Sequence, residues 1–143
     1  MARVGACALV VACLAGCGSG AKALSKADYD KQMTAIGKSF AADLNPLATA
    51  NTAQEAQFAL TKVQGELAAA DKSLGAIRPP APIKADHARL VAAMGEFGSE
   101  LGPVITKLKT GDMKALSSVG SLKGLKEIES AVQVIGKAGY KIG

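Results

Sequence analysis

The chain has no tryptophan, and its five aromatic side chains, Tyr29, Phe40, Phe58, Phe97 and Tyr140, are scattered over 143 residues. So few isolated rings leave no stacking platform of the kind that holds bases or sugars. There is a single histidine, His87, which supplies too few ligands for a structural metal site, and Cys-x-x-Cys-His, which attaches haem covalently, is absent. The Glu-x-x-His pair of di-iron bundles is missing as well. Runs of β-branched residues are absent and the apolar residues do not alternate, so no strand pattern competes with a helical one. All three cysteines, Cys7, Cys13 and Cys17, fall in the first 17 residues, which leaves none to staple the rest of the chain.

What those first residues do contain is informative. Arg3 is the only charge before Lys22, and Val4 to Leu14 is apolar or small throughout. A positive start, a short apolar stretch and small residues at its end form the pattern of a secretory signal. At about 20 residues per bilayer crossing, the stretch is too short for a permanent span. It closes on Leu14-Ala15-Gly16-Cys17, which resembles the lipobox of bacterial lipoproteins. The resemblance covers residues 1–17. It implies a diacylglycerol thioether on the Cys17 thiol, cleavage just before that residue, and acylation of the new amino terminus. Cys7 and Cys13 would leave with the signal, and Gly18-Ser19-Gly20 after Cys17 is flexible linker in composition. A catalytic cysteine needs a structured basic neighbourhood, which this linker does not offer. The expected organisation is a signal peptide over 1–16, a lipid-anchored tether over 17–24 and one helical domain over 25–143.

Without Arg3 the net charge falls from +5 to +4. This mild excess suits a solvated lysine-rich surface or an anionic membrane beneath the tether. Nucleic acid is not expected as a partner, since the lysines are scattered and only Arg78 and Arg89 remain as arginines.

From Ser25 onward the period is helical. Tyr29, Met33, Ile36, Phe40, Leu44 and Leu47 recur at spacings of three and four, with Asn45-Pro46 expected to end or bend this helix near Leu44. Thr52-x-x-Glu55 is a capping box before the most regular seam of the chain, Ala53, Ala56, Leu60, Val63, Leu67, Ala70, Leu74 and Ile77. Arg78-Pro79-Pro80-Ala81-Pro82 stops that helix. A third helix, with seam Ile83, His87, Leu90, Met94, Phe97, Leu101, Val104 with Ile105, and Leu108, is expected to kink at Gly102-Pro103 and to end at Gly111. Asp112 caps the next segment, and Gly120 and Gly124 loosen it. Leu125, Ile128, Val132 and Ile135 resume a face that closes at Gly139. The fold expected is an all-α, antiparallel up-and-down bundle, four helices in its main form and three plus a broken element in its variant.

An up-down-up-down order brings the start of helix one, the start of helix three and the end of helix four to one end. Tyr29, His87 and Tyr140 then converge beneath the tether, a candidate small polar pocket, with His87 half buried on the seam. Other chemistry is thinly supported. Gly37-Lys38-Ser39 lacks the earlier glycine of a phosphate loop, Ser99 lacks the flanks of a nucleophile elbow, and Glu96 with Glu100 is the spacing of a solvated face. No catalytic residue, metal ligand or cofactor is expected. The function expected is that of a non-enzymatic bundle, extracytoplasmic and lipid-anchored to the cell membrane through Cys17, or to the outer membrane in a two-membrane host. It would act on an envelope protein partner or as an assembly subunit. The alternative is a bundle that holds a small ligand, metal or haem between its helices.

Overall fold

The computed structural model describes residues 22–142. The expected signal peptide, Cys17 and most of the expected tether lie outside the described residues. Four helices succeed one another: α1 (Lys26–Ala48), α2 (Ala53–Ala76), α3 (Lys84–Lys109) and α4 (Lys123–Lys137). A 3₁₀ turn (Ala81–Ile83) leads into α3 and a 3₁₀ segment (Met113–Ser121) leads into α4. No strand occurs among the described residues.

Packing is sequential, α1 on α2, α2 on α3 and α3 on α4. Cross-helix bonds fix the antiparallel sense at each seam. Lys62 pairs with Asp43 between α2 and α1, where Leu24 just before α1 also bonds Arg78 just after α2, and Gln64 donates to the Gly98 carbonyl at 2.7 Å while His87 reaches Leu74 between α3 and α2. Arg89 pairs with Glu127 and Lys123 with Glu96 between α3 and α4. α3 is therefore the central rod, 26 residues or roughly 39 Å long. Its buried row, His87, Leu90, Met94, Phe97, Leu101 and Leu108, meets Leu60, Val63, Leu67 and Leu74 of α2 and Ala131 and Ile135 of α4 in one core. α1 buries only Tyr29 and Met33, while Ile36, Phe40, Leu44 and Leu47 are half-buried.

Local chemistry explains the boundaries. Ser25 caps α1 by accepting from the Asp28 N–H, and Thr52 with Glu55 forms the full capping box of α2. Gly111 and Gly139 take positive φ values, 87° and 86°. Each ends its helix in a Schellman turn: Asp112 N–H bonds the Lys107 carbonyl and Gly111 N–H that of Leu108, and Tyr140 N–H bonds Ile135 and Gly139 N–H bonds Gly136.

Several boundaries differ from expectation. α1 runs past Pro46 to Ala48, because the proline removes one N–H near the end of the helix, on an exposed face. α3, by contrast, runs through Gly102-Pro103 to Lys109 and closes before Gly111 as expected. Leu24, assigned to the tether by composition, packs against the core and donates its N–H to the Arg78 carbonyl at 2.8 Å, so the bundle begins before Ser25. Residues 113–121, the loosened segment after Asp112, wind as a 3₁₀ segment. Met113, Leu116, Val119 and Leu122 recur at a strict interval of three, the spacing that eclipses on a 3₁₀ helix, and all four are half-buried. Ser117, Ser118 and Ser121 each donate to the carbonyl three residues back, which this tighter winding brings within reach.

Gly124 has a role that helix propensity does not suggest. It lies buried in the first turn of α4, where a Cβ would stand 2.5 Å from the Phe97 Cα and 2.8 Å from its Cβ. The glycine thus lets α4 approach the backbone of α3. At the same place the Glu100 carboxylate accepts from the N–H groups of Gly124 (2.8 Å) and Lys123 (3.3 Å). A carboxylate from one helix satisfies the free amides at the start of another, where the helix dipole also favours it. Glu96 and Glu100 are in consequence not a merely solvated pair; both tie α3 to α4.

Candidate functional site

The residues that the up-and-down order assigns to one end do meet there. Tyr29 comes from the fourth position of α1, His87 from the fourth position of α3, and Tyr140 from the residue after the Gly139 turn. Tyr29 stands edge-on to His87 and to Tyr140, with ring centroids 5.6 Å apart in both pairs. Lys26 lies 5.2 Å over the Tyr140 ring, close enough for a cation–π contact.

His87 is only 4% exposed and Tyr29 is fully buried. His87 is therefore a fully enclosed group, not a half-buried one. Its Nε2 lies 3.0 Å from the Leu74 carbonyl and its Nδ1 3.0 Å from the Tyr29 hydroxyl. A carbonyl oxygen only accepts, so Nε2 carries the proton toward Leu74. In the neutral ring Nδ1 is then an acceptor and the Tyr29 hydroxyl donates to it. Leu74 belongs to the last turn of α2; its carbonyl accepts from the Ile77 N–H at 3.0 Å, and His87 supplies it with a second donor. Burial, then the charge of Asp30 and the neighbouring Tyr140, push the Tyr29 phenol up to about 12. Asp30 itself is held below the usual carboxylate range, first by the Lys26 ammonium at 2.7 Å and next by the backbone N–H of Lys141 at 2.9 Å.

The three rings meet edge-on around Tyr29. Both imidazole nitrogens and the Tyr29 hydroxyl already have partners. What this arrangement does chemically is join α1, α3 and α2 through a buried polar relay, Tyr29 to His87 to Leu74, while the residues after α4 attach through the Tyr140 ring and the exposed bond from Lys141 to Asp30. Beside it, Ala23, Ile77, Arg78, Pro79, Ala81 and Lys84 line an open cleft of about 300 Å³. Among the described residues no group of three or more His, Cys, Asp or Glu side chains converges, and no helix is long and apolar enough to cross a membrane.

Sequence periodicity places His87 and Tyr29 on their seams. It does not show that Leu74, an apolar core position, offers its carbonyl, or that Asp30 holds Lys141. The signal that was available is Gly139 followed by Tyr140: a glycine in the left-handed turn re-aims the next side chain toward the bundle. The geometry stands without a relative to interpret it, for no family model, no curated protein and no solved structure matches the chain.

Proposed function

We propose that this protein is a lipid-anchored helical bundle outside the cytoplasmic membrane, acting through contact with envelope proteins or as a subunit of an assembly, and not through catalysis. The observation that carries it is Leu14-Ala15-Gly16-Cys17 at the end of a charged-then-apolar leader, in a chain with no cysteine after position 17. Two buried acyl chains or more at Cys17 give stable anchoring, since each methylene contributes about 0.8 kcal/mol and a single chain is marginal. Lys22, where the described chain starts, is five residues from Cys17, so the anchor would act at the end of the bundle that holds Tyr29, His87 and Tyr140. The buried His87 spends both nitrogens on other parts of the bundle, which favours a structural role for it.

The test is Cys17→Ala in the full chain. The unsubstituted protein is expected to incorporate a fatty-acid probe and to carry a thioether diacylglycerol by mass, and the variant to do neither. An unmodified Cys17 in protein recovered from bacterial membranes would defeat the proposal.

A further inference from the structure

The net charge of the bundle is confined to one pole. Residues 22–31, 76–87 and 134–142 form the end where Leu24 bonds Arg78, Tyr29 meets His87 and Lys141 bonds Asp30. Three lysines there lie at the start of α1 (Lys22, Lys26, Lys31), Arg78 and Lys84 flank the proline loop, and Lys137 and Lys141 come from α4 and its C-terminal extension. These seven cations face only three carboxylates, Asp28, Asp30 and Asp86, a net +4. Over the remaining described residues nine cations balance nine carboxylates, so the whole excess sits at this end.

All seven cations are exposed. Among the described residues only Lys26 of the seven has an ion-pair partner, Asp30. Elsewhere Lys62, Arg89 and Lys123 are paired across helices. α1 and α3 begin at this pole while α2 and α4 end there, so the helix dipoles offset one another and the side chains set the field.

We infer that this basic pole is a docking face for an anionic phospholipid bilayer, which holds the bundle end-on with the loops at residues 49–52 and 110–112 pointing away. This rests on the proposed anchor at Cys17. Five residues of extended chain reach at most about 18 Å, so an acylated Cys17 keeps Lys22, Arg78 and Lys84 within a short distance of the headgroups. At physiological salt the attraction acts over about 8 Å, a gap the tether permits. Each basic side chain near such a surface strengthens partitioning roughly fivefold.

The experiment uses the full chain, processed in a bacterial host and reconstituted into vesicles of phosphatidylcholine alone or with about 30% phosphatidylglycerol. A membrane-impermeant amine reagent then reports each lysine by mass. Lys22, Lys84 and Lys137 are expected to react severalfold more slowly on the anionic vesicles, with Lys107, Lys109 and Lys114 at the far pole unchanged. Raising salt to about 1 M, where screening shortens to about 3 Å, is expected to abolish the difference. So is the triple substitution Lys22→Glu, Lys84→Glu, Lys137→Glu. Equal rates on the two vesicles, slowing at both poles, or protection that survives high salt would overturn the docking face. Protection on both vesicle types would point instead to a copurified protein partner on this pole and would equally overturn it. The mass of the same protein reports Cys17 separately. An unacylated chain that still sediments with anionic vesicles and shows the same footprint would remove the anchor and keep the docking face.

Discussion

The two poles of the bundle are built by different means. Where Tyr29, His87 and Tyr140 meet, parts distant in sequence are joined by specific polar atoms: Tyr29 to His87, His87 to Leu74, Lys141 to Asp30 and Leu24 to Arg78. At the far pole the connections are closed by local devices, the capping box at Thr52 and Glu55 and the Schellman turn at Gly111, each within a few residues of chain. Toward that pole Leu44 and Leu47 of α1 are half-covered, and Phe58 is 74% exposed. The difference teaches that one pole has a single defined arrangement imposed by hydrogen-bond geometry, whereas the other is held by apolar coverage that tolerates change.

The largest test of this contrast is at the interface on which the polar pole depends. α4 must lie close on α3 for Tyr140 to reach Tyr29, and Gly124 allows that approach. Gly124→Ala is expected to cost about 3 kcal/mol, the upper range for overpacking, because the obstacle is the Phe97 backbone and not a flexible side chain. Urea denaturation followed by circular dichroism measures it; a loss below about 0.5 kcal/mol would mean that the helices separate freely.

His87→Leu comes next, at about 2 kcal/mol, since it leaves the buried Tyr29 hydroxyl without a partner. The Leu74 carbonyl keeps the Ile77 N–H at 3.0 Å, so the cost lies chiefly on the tyrosine. Adding Tyr29→Phe to His87→Leu is therefore expected to restore part of the stability. Additive losses in that double-mutant cycle would break the account of the relay.

The same hydroxyl gives a pH signature. Its folded-state value, pushed up to about 12 from 10.0, means that the folded protein holds this proton more tightly than the unfolded chain. The contribution is fully present below pH 10 and is lost as pH rises from 10 through 12. Tyr29→Phe lacks that component, so the wild-type urea midpoint should fall more steeply than the variant's across this window. Parallel curves would refute the burial of the ionising group.

The smallest effect is expected at the far pole. Phe58→Ser, at an exposed position, should change stability by no more than about 0.5 kcal/mol. A large loss there would erase the contrast between the poles.

Much of this fold is legible in the chain because its signals are local. The seam of α2 is written in spacings of three and four from Ala53 to Ile77, its cap in Thr52 and Glu55, and the helix ends in Gly111 and Gly139. The convergence of Tyr29, His87 and Tyr140 is a consequence of an even number of antiparallel helices. Features that escape local reading depend on partners remote in sequence. Gly124 resembles a helix breaker until Phe97 is placed against it, and Glu100 resembles a solvated charge until the first amides of α4 are brought to it. Pro46 shows the converse: a strong local stop signal is tolerated near a helix end where only one amide is lost. The 3₁₀ stretch from Met113 to Ser121 had its mark in the three-residue interval, which resembles an imperfect α-helical period over so short a run.

An even helix count also sets how the protein bears load. Lys22 and Ile142 lie at the same pole, so a pull between them does not stretch the bundle along its helices. It opens the molecule like a zip from that pole, and the contacts nearest the grips, Asp30 with Lys141 and Tyr29 with Tyr140, give way first and one at a time. Peeling of this kind needs less peak force than sliding whole helices past one another. The stitched pole is thus the bundle's point of least resistance to tension, although it is its most specifically bonded part.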